Sequence, residues 1–442
     1  MSSSSRLAEY RTVLGLPGFR WLWLSQLLAL TAQNGIHLVQ VVLIERLTGS
    51  SVHIGLMVAS FSLPPVIFSF LAGVVVDRVP KKWIIVTSNF LRGSLALSYI
   101  FMMNWLSGDA LLVVVYVITF LSSSIGAFFN PAVLAKLPLV VGEKRLLVAN
   151  SLFNLTVAGA QLIGLIVIAP VAVKIFKIQG AFALMGALYL VAFVMVLRLP
   201  RDPARRIRGV TASSGWRRMV GEVRDGWAFV VTHRAVALAI LQLTLVATLL
   251  MILAVIAPGF SARILGLSPE DAVLVFAPAG VGMLLALVFL GRYATRFPPA
   301  WLQPLMLLLT GASFALMAFI SQDYYTYFIP ILEVYPQRLA SLSTWVAVSA
   351  IPMGFGLYAV NTIAQTAIQH LTPASLRGRV FTVQFMLASL VGLIPLMAAA
   401  TLADMIGIPG LLRWLAASCL LVAILSIYSI FHPIRADDRP MP

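Results

Sequence analysis

Apolar stretches long enough to cross a bilayer recur from Trp21 to Phe431, and this recurrence constrains the chain more than any other feature. About 20 mostly apolar residues cover roughly 30 Å of hydrocarbon, where an unpaired backbone N–H or C=O is costly. Only helices and closed barrels pair every such group, and a barrel would show short alternating segments. The stretches here are long and continuous, so helices are expected. With 60% hydrophobic and 10% charged residues among 442, the chain also carries more apolar surface than a soluble fold of this length buries.

The expected spans are 20–44, 54–76, 83–104, 110–135, 146–172, 178–197, 236–260, 271–291, 300–320, 343–370, 380–403 and 409–431. The residues before them are polar and mixed, without the charged start, short apolar core and small-residue cleavage site of a secretory signal. The first span is therefore expected to act as the membrane signal. A net charge of +16 suggests nucleic acid until the basic residues are placed. With an even number of spans and the N-terminus inside, 24 of the 31 Lys and Arg fall on the cytoplasmic side, six fall outside and Arg92 is left within the membrane. That asymmetry is the positive-inside rule. The charge thus reports orientation: a multi-pass inner-membrane protein with both termini cytoplasmic and no nucleic-acid partner. Cys419, the single cysteine, excludes an intrachain disulfide.

Residues 198–235 interrupt the hydrophobic pattern near mid-chain and divide six spans, 1–197, from six, 236–442. Within this basic linker, Trp216, Met219, Val220, Val223, Trp227 and Val230 share one helical face, with Arg217, Arg218, Arg224 and Asp225 elsewhere. That pattern predicts a helix on the cytoplasmic membrane surface. The halves also read as repeats. Gly73-Val-Val-Val-Asp77-Arg78 follows the second span and Gly291-Arg-Tyr-Ala-Thr-Arg296 the eighth, an offset of 218 (291 minus 73). Asn130-Pro131-Ala132 pairs with Asn361-Thr362-Ile363 at 231 (361 minus 130), and the external, Tyr-rich segment 322–342 supplies the difference. Tyr324, Tyr325, Tyr327 and Tyr335 there suit either an interfacial anchor or a lid.

These features resemble the major facilitator superfamily. Leu71-Ala-Gly73-Val-Val-Val-Asp77-Arg78-Val-Pro-Lys81-Lys82 is similar to that family's loop motif after the second helix, and twelve spans in two related halves extend the likeness over nearly the whole chain. Phe19-Arg20-Trp21-Leu22-Trp23-Leu24, Asn130-Pro131-Ala132, Leu376-Arg377-Gly378-Arg379-Val380 and Leu402-Ala403-Asp404 resemble the branch containing macrolide and siderophore exporters and lysophospholipid transporters. The resemblance implies an all-α major facilitator fold, twelve transmembrane helices in two pseudo-symmetric six-helix bundles, with a solute path between them and no enzymatic activity or cofactor. It also implies that Gly73, Asp77 and Arg78, with Arg377, Arg379 and the more distant candidate Lys136, form a cytoplasmic gate latch. Two departures point away from proton-driven drug export. Asn34 stands where the branch often has an acidic residue, and Gly164 is followed by Leu165 in place of proline.

Polar residues inside the spans mark candidate solute contacts, because side chains of this kind find no partners in lipid. Gln26, Gln33, His37 and Gln40 follow spacings of 7, 4 and 3 on the first span, bordered by Asn34. The fifth span carries Asn150, Asn154 and Gln161, and the tenth Tyr358, Asn361, Gln365 and Gln369. Interhelical hydrogen bonding is the plain alternative for each. His37 and Arg92 are the two ionisable groups that stand out within the membrane. An intramembrane arginine is a functional candidate by default, and histidine can titrate near neutral pH.

The sequence supports a secondary active or facilitative transporter exporting or flipping a small amphipathic solute or lipid, anionic or zwitterionic, by alternating access. A proton-coupled multidrug antiporter is the alternative, with protons as a second partner. A channel would fit the spans but not the loop motif and the repeat. A monomer among membrane lipids is expected.

Overall fold

In a computed structural model, residues 11–142, 145–202, 212–293, 298–323, 342–388 and 392–431 are described. Tyr324, Tyr325, Tyr327 and Tyr335 of the expected external loop lie outside them. Among the described residues the fold is entirely helical. Among those residues, ten helices are long and apolar enough to cross a membrane. Two of these contain a sharp break, at Lys177 (φ 59°) in 159–197 and at Gly407 (φ 76°) in 393–431, so each holds parts of two spans. Ten helices with two breaks give the twelve expected spans.

The first half comprises α1 (Pro17–Thr48), α2 (Ser51–Arg78), α3 (Lys81–Trp105), α4 (Gly108–Val141), α5 (Leu146–Leu162) and α6 (Ala169–Leu197). A π-helical turn, Ile163–Ile168, joins α5 to α6. The cause of close approach there is Gly164: a Cβ at this position would overlap the Thr31 carbonyl of α1, so only glycine lets the two backbones meet. The linker helix α7 (Ala212–Thr232) follows. The second half comprises α8 (Arg234–Gly259), α9 (Ala272–Tyr293), α10 (Pro299–Asp323), α11 (Leu342–Leu371), α12 (Ala374–Met386) and α13 (Leu393–Phe431).

The chain separates into two compact units, Met1–Thr48 with Leu56–Ser214, and Gly49–Gly55 with Gly215–Pro442. In the first, α3 crosses α6 where Gly93 and Gly186 face each other, a Cβ on either lying 3.3 Å from the other's carbonyl oxygen. In the second, α10 crosses α13 where Gly311 meets Cys419 and the Ala416 carbonyl. Gly311 lies 218 residues beyond Gly93 (311 minus 93), the offset of the loop motif, so the repeat extends into the packing. Small residues at helix crossings substitute van der Waals contact for the hydrophobic drive that lipid lacks. A third crossing, α9 with α11, is closer still. A Cβ at Gly354 or Gly282 would overlap a carbonyl of the facing helix.

The linker is shared between the units. Lys136, 1% exposed on α4, donates to Asp202 Oδ1 (2.6 Å) and to the Pro200 carbonyl (2.8 Å). The Lys82 backbone N–H donates to Asp202 Oδ2 (3.0 Å). These bonds fasten residues 198–202 to the first unit. Helix α7 instead belongs to the second. Its Val230 joins a core with Val236, Ile240, Ile368 and Val383, and Gly226 lies against the Arg379 carbonyl. Part of its apolar face, Val223 and Val230, therefore covers protein, while Trp227 and Val231 stay exposed. The side chains of Trp216, Met219 and Val220 fall outside the described ones.

The stretch Gly49–Gly55, which connects α1 to α2, belongs to the second unit. The Asp404 carboxylate accepts from the Ser50 hydroxyl (2.6 Å), from the Ser51 and Val52 backbone N–H groups (2.9 and 3.2 Å), and from Arg263 (3.1 Å). It thereby caps the first turn of α2, whose N–H groups have no partner within the helix.

Candidate functional site

Arg92 sits halfway along α3, 3% exposed in the interior of the first unit. The side chain reaches this depth because its flank is small: a Cβ on Gly126 of α4 would lie 3.7 Å from the guanidinium carbon. Its Nη2 donates to Gln33 Oε1 of α1 (2.8 Å). The guanidinium lies over the rings of Tyr189 (4.8 Å) and Phe129 (5.9 Å), whose π faces attract a cation. No carboxylate pairs with it, and its Nε has no partner among the described residues. The equivalent position in the second unit, at the offset of 218, is Thr310, a buried hydroxyl bonded to its own helix at Met306. The charge thus breaks the pseudo-symmetry of the two halves.

A cavity of about 270 Å³ opens beside this guanidinium, lined by α1, α2, α3 and α4. From α1 it receives Gln33, His37 and Gln40, three of the residues on the predicted stripe. Gln40 is buried and donates to the Tyr99 and Thr119 hydroxyls (2.7 and 3.0 Å), so its role is partly to join helices. The His37 ring stacks on Phe61 of α2 with centroids 4.5 Å apart and planes 14° from parallel. Helix α2 is held here by a second bond, from the Ser123 hydroxyl of α4 to the Phe61 carbonyl (2.6 Å). Thr119, Ser122, Ser123 and Asn130 line the α4 wall. The stripe reasoning missed them as a set. Their signal was present, because 119, 122, 123, 126 and 130 recur at helical spacing along one face.

Other predicted contacts lie elsewhere. Asn34 donates to the Leu30 carbonyl of its own helix (2.8 Å) and is not among the cavity's lining residues. Gln161 is exposed on α5, and the Asn154 side chain lies outside the described ones. Tyr358 and Asn361 are half-buried on α11 of the second unit, and Gln365 is exposed one turn on.

The residues expected to form a latch fall at or near helix ends. Asp77 and Arg78 are exposed at the end of α2, and no described atom lies within 4 Å of a Cβ built on Gly73. Arg377 makes a long contact with the Thr372 carbonyl (3.5 Å). Arg379 pairs with Asp225 of α7 (3.0 Å), and Lys136 with Asp202, two acidic partners from the linker that the sequence reading had not assigned.

The model of the Major Facilitator Superfamily matches residues 22–396. The chain belongs to that superfamily. It is 24% identical over 413 residues to an uncharacterized MFS-type transporter, YfiS, of Bacillus subtilis (strain 168), covering 89% of this chain and 88% of the relative. Among solved structures, the nucleoside transporter NupG superposes with a TM-score of 0.68 at 11% identity, covering 93% of this chain and 98% of that one. A bacterial homologue of the human lysosomal transporter Spinster, inward-facing and unoccupied, gives 0.67 at 14% identity with both chains fully covered. At these identities the structures speak for the fold alone. This superfamily transporter therefore has the architecture its loop motif implied, and its solute must be argued from its own side chains.

Proposed function

We propose that this transporter moves a small amphipathic anion or zwitterion across the inner membrane by alternating access, in the direction of export or flipping between leaflets. One observation carries the reading: a buried guanidinium on a cavity wall without any carboxylate among the lining residues. A cation held at mid-membrane depth is costly, and an incoming anionic group offsets that cost by charge-assisted hydrogen bonds. A cationic drug would meet repulsion at the same place, which disfavours the multidrug antiporter. The cavity's apolar members, Ile36, Pro65 and Ala127, leave room for the non-polar part of the solute.

Sequence motifs support further parts of the reading. The positive-inside count favours cytoplasmic termini, and the four quoted stretches favour the exporter and lysophospholipid branch. In this proposal the Gly73-to-Arg78 motif, with Arg377 and Arg379, serves the cytoplasmic closure, and the tenth-span residues Tyr358, Asn361 and Gln365 contribute to solute contact. Flux from proteoliposomes loaded with matched anionic, zwitterionic and cationic amphiphiles tests the proposal. Saturable, counterflow-stimulated flux of the first two, lost in Arg92→Gln, is the expected result. Preference for the cation, or anion flux that survives Arg92→Gln unchanged, refutes it.

A further inference from the structure

His37 shares the Arg92 cavity but has no role yet in the anion reading. Of the lining residues, these two alone are ionisable. Arginine keeps its charge at every accessible pH, whereas imidazole changes charge between about pH 5 and 8. Neither His37 nitrogen has a hydrogen-bond partner among the described residues, so no neighbour pins one tautomer of the ring. The groups that face it are few. Gln33 and Gln40 on its own helix, Phe61 of α2 and Thr119 and Ser123 of α4 are uncharged, and Arg92 of α3 is the one charged neighbour on the cavity wall. Glu45 lies eight residues further along α1, about 12 Å by helical rise, and has a partner of its own.

We propose that His37 is the site of a coupling proton, taken up together with an anion bound at Arg92, so that the cavity loads one anion and one proton as a unit. The proposal rests on the anion reading above. In the unloaded cavity a second cation beside Arg92 is disfavoured first by its burial and then by like-charge repulsion. An anion bound on the guanidinium reverses the local field, and the imidazolium is then favoured. Phe61 assists, since a ring face stacked on imidazole attracts it when charged. The charges balance: a monoanion and one proton cross together with no net charge, so the loaded and empty cavities carry the same charge and the full cycle is electroneutral. Linkage is reciprocal, and the anion must bind more tightly as pH falls. One linked proton changes Kd by at most tenfold per pH unit.

The test uses the full chain in lipid nanodiscs and 1-octanesulfonate, whose charge is constant over this pH range. Calorimetric titration in two buffers of different ionisation enthalpy counts protons taken up per anion. Uptake approaching one proton, and a Kd about tenfold lower at pH 5.5 than at pH 7.5, are expected. His37→Gln should lose both the uptake and the pH dependence, so that the roughly tenfold tightening at pH 5.5 disappears. Octyl glucoside, an uncharged counterpart, should take up no protons. Binding by the wild-type chain without proton uptake overturns the coupling while leaving the anion site intact, and it needs no variant to fold. Retention of uptake in His37→Gln overturns it too. Absence of octanesulfonate binding, or equal binding by Arg92→Gln, overturns the anion reading and the coupling together.

Discussion

Lys136 was expected near the cytoplasmic closure, yet its ammonium is buried against Asp202 and the Pro200 carbonyl, which makes it a clamp on the end of the first half. Lys136→Met separates the two roles. The substitution keeps the length of the side chain and removes its charge, leaving the Asp202 carboxylate, 8% exposed, with the Lys82 backbone N–H as its other described donor. Removing one partner of a buried pair costs about 3–5 kcal/mol, because the remaining charge is stranded. Asp202→Asn strands the Lys136 ammonium in the same way, with the Pro200 carbonyl as its other described acceptor, and should cost a similar amount, about 3–5 kcal/mol. The double variant should be no worse than Lys136→Met alone, because it strands no charge. Equilibrium unfolding of the three purified variants, read as a double-mutant cycle, measures this directly. Additive losses, or a Lys136→Met chain within about 0.5 kcal/mol of wild type, would refute the clamp. A change in transport rate with stability untouched would return Lys136 to the gate.

Asp77→Asn should weaken a cytoplasmic latch by about 1.5–3 kcal/mol, shifting a two-state closure roughly tenfold or more, seen as faster thiol labelling of cavity positions on that side. Unchanged labelling and transport would reduce Asp77 to a surface charge. Gly354→Ala should destabilise the second unit by about 1–3 kcal/mol through overlap with the Ala279 carbonyl, whereas alanine at Gly73 should be tolerated. Thermal unfolding of both variants distinguishes a crossing from an open position, and equal losses would contradict the packing described. In a Cys419→Ser background, cysteines at Ser4 and Gly215 should label from the cytoplasm and one at Thr326 from outside. Labelling of position 215 only from outside would overturn the orientation.

The spans were legible because bilayer thickness imposes a length on any apolar helix. The repeat was legible through Gly73 and Gly291, and the packing then showed that Gly93 and Gly311 share its offset. Arg92 stood out because charge is rare at that depth. What it touches did not, since Gln33 and Tyr189 meet it only through the crossing of α1, α3 and α6. Asn34 and Gln40 show the limit of a polar stripe: one bonds its own backbone and the other two neighbouring helices, and spacing alone does not separate these from solute contact. Asp202 and Asp225 were equally opaque. A linker acid among many arginines has no preferred partner until the fold chooses one.

The cap that Asp404 places on α2 also orders events during synthesis. Ser50 and its acceptor are 354 positions apart. At roughly 5–20 residues per second, the ribosome delivers Asp404 about 18–70 s after Ser50. For that interval the opening turn of the second helix lacks the final acceptor of its N–H groups. The nascent first half is thus a provisional object, and its α1–α2 corner is finished only when nearly the last span arrives.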